Sequence, residues 1–331
     1  MRNGRGPSLP PNRRLRRTLA GLLVSIPTLS YMACGSEDDG GCIPYGPEEA
    51  TRTTTEWVPD GSEPTHANCM EACVPQNLPD FRGCELESRP GSYADGGGSG
   101  QYLSYSCRYI APGGCRTDGR HPEGLLAGRV EARCALGALF AEMAWLEAAS
   151  VPAFLRLADE LKAHGAPDAL VRAARRAAGE EVRHTRAMEA LARRHGASVA
   201  AVELAPFAER SLEAMLLENA REGCVRETYG AVVAGWQARN AGDTQVRAEL
   251  GRIAGDELRH AELAWAVEAW AAERLTAAER QRVREAMHDE LHTLERLVEQ
   301  EEPEAVLVEQ AGLPSRDAAR QLLRGLQVLA A

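Results

Sequence analysis

Two segments of the chain are near copies of one another. The first reads Ala178-Gly179-Glu180-Glu181-Val182-Arg183-His184 and the second Ala254-Gly255-Asp256-Glu257-Leu258-Arg259-His260. Each holds Glu-x-x-His, a spacing that puts a carboxylate and an imidazole on one helix face, one turn apart. Both groups can then reach the same metal cluster. The bare pattern is common. Glu63/His66, Glu181/His184, Glu257/His260 and Glu285/His288 all show it, where 36 glutamates and eight histidines in 331 residues give about one match by chance. Context separates the second and third pairs, which share a seven-residue repeat in the middle of long helical stretches.

The helix faces around these pairs are apolar. Ala174, Ala177, Ala178, Thr185 and Met188 surround Glu181; Leu250, Ile253, Ala254, Ala261 and Ala264 surround Glu257. A carboxylate on such a face is costly unless it is paired or bound to metal. The alternative is a duplicated Glu/His hydrogen-bonded pair without metal. A two-metal site in a four-helix bundle needs one further carboxylate from each of the other two helices. Glu142 and Glu147 are available before the first repeat, Glu222 and Glu227 before the second, with the same spacing of five. Glu147 shares its face with Phe140, Met143, Ala144, Ser150, Val151 and Phe154. Glu227 shares its face with Ala220, Gly223, Cys224, Gly230, Ala231 and Ala234. Glu222 sits beside Glu218, Asn219 and Arg226, a more solvated setting. Glu147 and Glu227 are therefore the expected ligands, with Glu142 and Glu222 as the alternatives.

Long helices must position these residues. Alanine, leucine, arginine and glutamate dominate from about residue 125, and the pattern predicts helices over 128–163, 168–195, 208–240, 244–272 and 277–301. Gly165-Ala166-Pro167 breaks the first run, with proline suited to a first helical turn. Gly242-Asp243 breaks the third, with an aspartate able to cap the next helix. Helices of this length span about 40–55 Å at 1.5 Å per residue. The tight outer turns make two antiparallel hairpins. The middle connection of about 11 residues reaches roughly 35 Å, enough to return along the bundle. Two hairpins joined by one long crossover is the expected all-α architecture.

This constellation resembles the ferritin-like superfamily of carboxylate-bridged di-iron proteins, which includes rubrerythrins and bacterial hydroxylases. The resemblance covers about residues 128–272, within a domain placed at 123–275. It implies that Glu181 and Glu257 bridge two ions, His184 and His260 each cap one, and Glu147 and Glu227 are terminal or semi-bridging ligands. It also implies two iron ions, or manganese in their place, and an oxidoreductase that activates dioxygen or peroxide, with ferrous iron, peroxide or an organic molecule as substrate. A non-catalytic metal store or carrier and a structural envelope protein are the alternatives. No rubredoxin-like pair of C-x-x-C motifs is present. The lead-in His121-Pro122-Glu123-Gly124-Leu125 and the cysteine-rich segment before it resemble an exported lipoprotein branch.

The N-terminal third points to export. Residues 2–17 hold six arginines and no acid, and a mostly apolar stretch runs from Leu19 to Ala33. That stretch is short for a membrane span and right for a signal peptide. It ends in Ala33-Cys34, so residues 1–33 are expected to be removed, with Cys34 lipidated and the membrane reached through that anchor alone. Cleavage would take the net charge from -10 to -16. An acidic chain of this kind does not suit nucleic acid. Residues 34–122 are rich in Gly, Pro, Ser and Thr and are expected to be loop-dominated. Their six cysteines, Cys42, Cys69, Cys73, Cys84, Cys107 and Cys115, are read as three disulfides of unassigned pairing. Cys134 and Cys224 are expected to be buried thiols, and Trp145, Trp236, Trp265 and Trp270 core residues. In the helical extension over 276–331, Glu285/His288 and Asp289/His292 read as a solvated face, with a second metal site as the alternative.

Overall fold

The computed structural model describes residues 9–25, 48–60, 62, 64, 68–73, 81–92, 99–111, 122, 124–125, 132–204, 207, 210–300 and 302–330. They fall into two compact units, one of Met1–Ile43 with Cys115–Ala331 and one of Pro44–Gly114. Cys34, Cys42 and Cys115 lie outside the described residues.

The smaller unit corrects the expectation of an all-α chain with a loop-dominated leader. It contains β1 (Glu48–Pro59), α2 (Cys69–Cys73), β2 (Phe81–Ser92) and β3 (Ser99–Ala111). These strands form an antiparallel sheet in the order β1-β3-β2. In β3, Leu103, Tyr105 and Cys107 are buried while Tyr102, Ser104 and Ser106 are not, the period-two pattern of a strand with one covered face. Tyr105, Leu103, Val58 and Ala72 make a small core. Two disulfides staple it. Cys84 and Cys107 are direct partners across β2 and β3. Cys69 and Cys73, one helical turn apart on α2, bond to Cys84 and Cys107 respectively, with Cα separations of 5.8 and 5.6 Å. The helical turn is thereby fixed across both strands.

The larger unit is helical. Its main elements are α1 (Arg13–Ser25), α3 (Ala135–Ala163), α4 (Asp168–Arg194), α5 (Leu212–Glu218), a π-helical segment (Asn219–Glu227), α6 (Thr228–Asn240), α7 (Thr244–Ala272), α8 (Ala277–Gln300), α9 (Ala305–Gln310) and α10 (Arg316–Ala330). The helix α3 packs along α4 as one hairpin, and α6 with the π segment packs along α7 as the other. The turn from α3 to α4 needs Gly165, whose φ of +72° is left-handed. At the other hairpin, Asp243 caps α7 by accepting from the backbone N–H of Gln245 and Val246. Gly242 is required there by crowding: a Cβ would sit 2.6 Å from the Glu309 carbonyl oxygen, which accepts the Gly242 N–H.

Alanines from α3, α4 and α7 line the shared core, so the helices approach closely. The helix α3 is long and apolar enough to cross a membrane by length and composition, yet it carries Glu147 and Glu160 and buries most of one face in this core. Trp145 and Trp236 are buried as expected. Cys224 is buried, whereas Cys134 is exposed and caps α3 by accepting the Gly137 N–H. It lies one residue before the helix, where a side chain turns back toward the first N–H groups.

The N-terminal segment also departs from expectation. Here α1 packs against α10 and α6 instead of standing outside the fold. Leu15 and Leu19 are buried, and Arg16 forks onto Glu262 of α7 at 2.6 and 2.8 Å. The same amphipathic, arginine-flanked pattern that reads as a leader serves equally as a surface helix.

Candidate metal centre

The two Glu-x-x-His repeats fall in the middle of α4 and α7, and α3 and the π segment deliver one more glutamate each. Two groups of potential ligands result, Glu147, Glu181, His184 and Glu257 in one and Glu227, Glu257 and His260 in the other, with Glu257 common to both. All six residues expected from the sequence come together. The alternatives do not join them: Glu142 and Glu222 belong to neither group, and Glu222 lies 3.7 Å from Arg226.

Glu181 and Glu257 lie between the histidines. Glu181 approaches His184 Nδ1 at 3.4 Å and His260 Nδ1 at 3.0 Å. Glu257 approaches the same two atoms at 3.2 and 3.5 Å. Glu147 lies 3.5 Å from His184 Nδ1. Glu181, Glu227 and both histidines are buried, and Phe154 covers His260 with ring centroids 5.0 Å apart.

The outer nitrogens are held by residues from the opposite helix. His260 Nε2 lies 3.0 Å from Glu180 of α4, and His184 Nε2 lies 3.2 Å from Asp256 of α7. Arg259 bonds Glu180 at 2.9 Å as well as Asp256, and Arg183 bonds Asp256 at 3.3 Å. Each repeat therefore supplies one histidine of the cluster, and the acid that orients the other repeat's histidine. A ring held this way keeps Nδ1 directed inward, as carboxylate-supported metal-binding histidines do. These two acids were not expected as site residues. The signal for them was present in the sequence: the position before each ligand glutamate is acidic in both repeats.

Protonation is a consequence of this packing. Burial raises the Glu147 carboxyl well above the usual range, and the nearby charge of Glu181 adds to the rise. Burial opposes charge on Glu181, but a hydrogen bond from Glu147 and the charge on His260 outweigh it and lower it to about 2. Glu257 is held below the usual range against burial, chiefly by His260 and His184. Both histidines are raised far above their ordinary value despite burial, His184 by Glu147, Glu181 and Glu257 and His260 by Glu257 and Glu181. Metal-free, the centre is a cluster of imidazolium and carboxylate neutralised partly by protons.

The donor set could hold a metal ion in either group. Glu181 Oε2, His184 Nδ1, Glu257 Oε1 and His260 Nδ1 are buried atoms without a hydrogen-bond partner, and all face the same space. Buried polar atoms left this way need an explanation, and bound ions supply one. Glu227 is the last residue of the π segment, and π turns recur at functional sites. No known protein family, curated protein or solved structure matches the chain.

Proposed function

We propose that this is a ferritin-like di-iron protein, its four-helix bundle made of α3, α4, the α5–π–α6 run and α7, and that it reduces dioxygen or peroxide. The observation that carries the reading is the placement of Glu181 and Glu257, each within 3.5 Å of both histidine Nδ1 atoms. Carboxylates between two capping imidazoles are what a shared pair of ions requires. Oxygen-rich donors with only two imidazoles suit iron or manganese.

Two ions held here would supply electrons and Lewis acidity for reducing an O–O bond. The chain's own contribution is positional. Glu180 and Asp256 fix both imidazole rings, Phe154 keeps water from one side of His260, and Glu147, whose carboxyl burial raises well above the usual range, lies beside the ligand cluster. Ferrous iron, peroxide or an organic molecule is the substrate class, and a periplasmic metal store is the competing assignment.

The disulfides Cys69–Cys84 and Cys73–Cys107 fit an oxidising compartment outside the cytoplasm. With Cys34 lipidated, the mature protein is held at a membrane by its anchor, and removal of residues 1–33 takes α1 with it. A Cys34→Ser variant that remains equally membrane-bound rules out that anchor.

The decisive experiment measures iron content and oxygen consumption with ferrous iron for the protein and for the double variant His184→Ala, His260→Ala. Two irons per chain and oxygen uptake, both lost in the variant, support the assignment. Two irons retained in the variant, or none in the parent under reducing conditions, end it. Two irons without oxygen uptake favour the store.

A further inference from the structure

Outside this centre, the helix α8 carries a second concentration of metal-binding chemistry. Glu285, His288 and His292 occupy positions i, i+3 and i+7, one stripe along a single helix face. His288 and His292 are four residues apart, the spacing by which two helical imidazoles grip one ion. Their rings meet edge to face with centroids 4.3 Å apart, and one ring must turn for both to present a nitrogen to a single ion, since these donors are not grouped as those of the buried centre are. Both are exposed, and they line a surface cavity of about 540 Å³ together with Glu285, Asp289, Glu295 and Gln327.

The surroundings orient these groups. His292 Nδ1 lies 2.8 Å from Glu295 Oε2. The Nδ1–H donates there, so Nε2 keeps its lone pair and faces away from Glu295. Gln327 of α10 in turn donates to Glu295 Oε1, tying the carboxylate to a second helix. Gln281 holds Glu285 Oε1 in the same manner at 2.8 Å. An imidazole whose second nitrogen is bound to a fixed carboxylate is the usual arrangement of a metal-binding histidine.

We propose that His288 and His292, completed by Glu285 and water, form a site for a borderline-soft divalent cation, with Zn2+ the best match. Two imidazoles and one carboxylate select zinc, nickel or copper over calcium or magnesium. Three protein donors leave a coordination position open. The donor balance is the reverse of that at the buried centre, where four glutamates accompany two histidines, so the two sites prefer different metals. Glu285, Asp289 and Glu295 line the cavity against one cationic side chain, Arg284, so the balance of charge favours a cation, and exposure makes the site accessible from solution.

The test is equilibrium dialysis of the full chain against Zn2+, with bound zinc measured by mass spectrometry. The double variant His288→Ala, His292→Ala is expected to bind one zinc fewer than the parent, with an unchanged circular dichroism spectrum, because both side chains are exposed. Glu295→Gln keeps both imidazoles and is expected to weaken that same zinc by about 10- to 100-fold. Equal zinc in the parent and in the double variant overturns the proposal, as does parental affinity in Glu295→Gln. The variant His184→Ala, His260→Ala separates this site from the buried one. If the di-iron assignment fails, that variant binds as much zinc as the parent, while the difference made by His288 and His292 stands.

Discussion

The Asp256 carboxylate of α7 lies 3.2 Å from Nε2 of His184 on α4, and the inverse pairing, Glu180 to His260, spans the same two helices at 3.0 Å. The duplicated motif is thus completed only when its two copies face one another. Replacing Asp256 with Asn, or Glu180 with Gln, keeps size and hydrogen bonding but removes the charge that supports the imidazole. Each variant is expected to lose about 10- to 100-fold in metal affinity while remaining folded. Calorimetric titration with a divalent ion checks this, and unchanged affinity in both variants would show that the pairing does not serve metal.

Metal binding should release protons. His184 and His260 have their pKa raised far above 6.5, so both carry a proton near neutrality, and burial raises the Glu147 carboxyl above its usual range. A metal ion must displace these protons, since ligands bind deprotonated. Apparent affinity is therefore expected to go on rising with pH above about 7.5, where an ordinary histidine would already be neutral. Calorimetry in buffers of different ionisation enthalpy measures the release directly; binding without proton release would contradict the protonation pattern.

Asp243 offers a test of the scaffold apart from the metal. A hydrogen bond from Arg194 is the main cause that lowers its carboxyl from 3.8 to about 2, and the N–H groups of Val246 and Gln245 add to it. A depressed carboxyl stabilises the fold above its unfolded pKa, and that contribution is lost as pH falls from about 4 through 2. Asp243→Ala should lower stability by about 1 kcal/mol at neutral pH, the usual cost of a lost cap. Asp243→Asn keeps a capping oxygen and should lose less while flattening the acid limb. Denaturant unfolding at several pH values distinguishes the two.

The sheet unit depends on its staples. Mass mapping of unreduced protein should recover the linked pairs Cys69–Cys84 and Cys73–Cys107. Reduction is expected to destabilise this unit by about 2–4 kcal/mol per bond, since both close loops in the unfolded chain. Linked peptides joining Cys69 to Cys107 would refute the arrangement.

The sequence made the six metal-centre residues legible because duplication gave two independent copies of each choice, and because apolar faces betrayed buried acids. The helix ends at Gly165, Pro167 and Asp243 were equally readable, since these residues act locally, but the first helix begins at Ala135 and not at 128, and the third at Leu212 and not at 208, where Cys134 and Ser211 cap them. Glu180 and Asp256 were not assigned, because their partners lie on another helix and no periodicity connects them. The sheet was obscured by flanking Gly and Pro, although Leu103, Tyr105 and Cys107 alternate as a strand should. The π segment leaves no trace in composition: nine residues at an altered hydrogen-bond spacing read as ordinary helix.

That segment makes chain length a variable of the centre. A π turn is an α-helix that has taken in one residue, and the excess here is confined between Asn219 and Glu227. Losing a single residue before Glu227 would rewind the turn and rotate everything upstream by about 100° relative to α6. Buried Met215, Leu216 and Asn219 would swing off α7 and α8, and Glu218 would leave Arg156 and Arg210. Relatives of this chain should therefore keep the length of this run invariant even where its composition drifts, because a one-residue gap would displace these packing and ion-pairing residues all together.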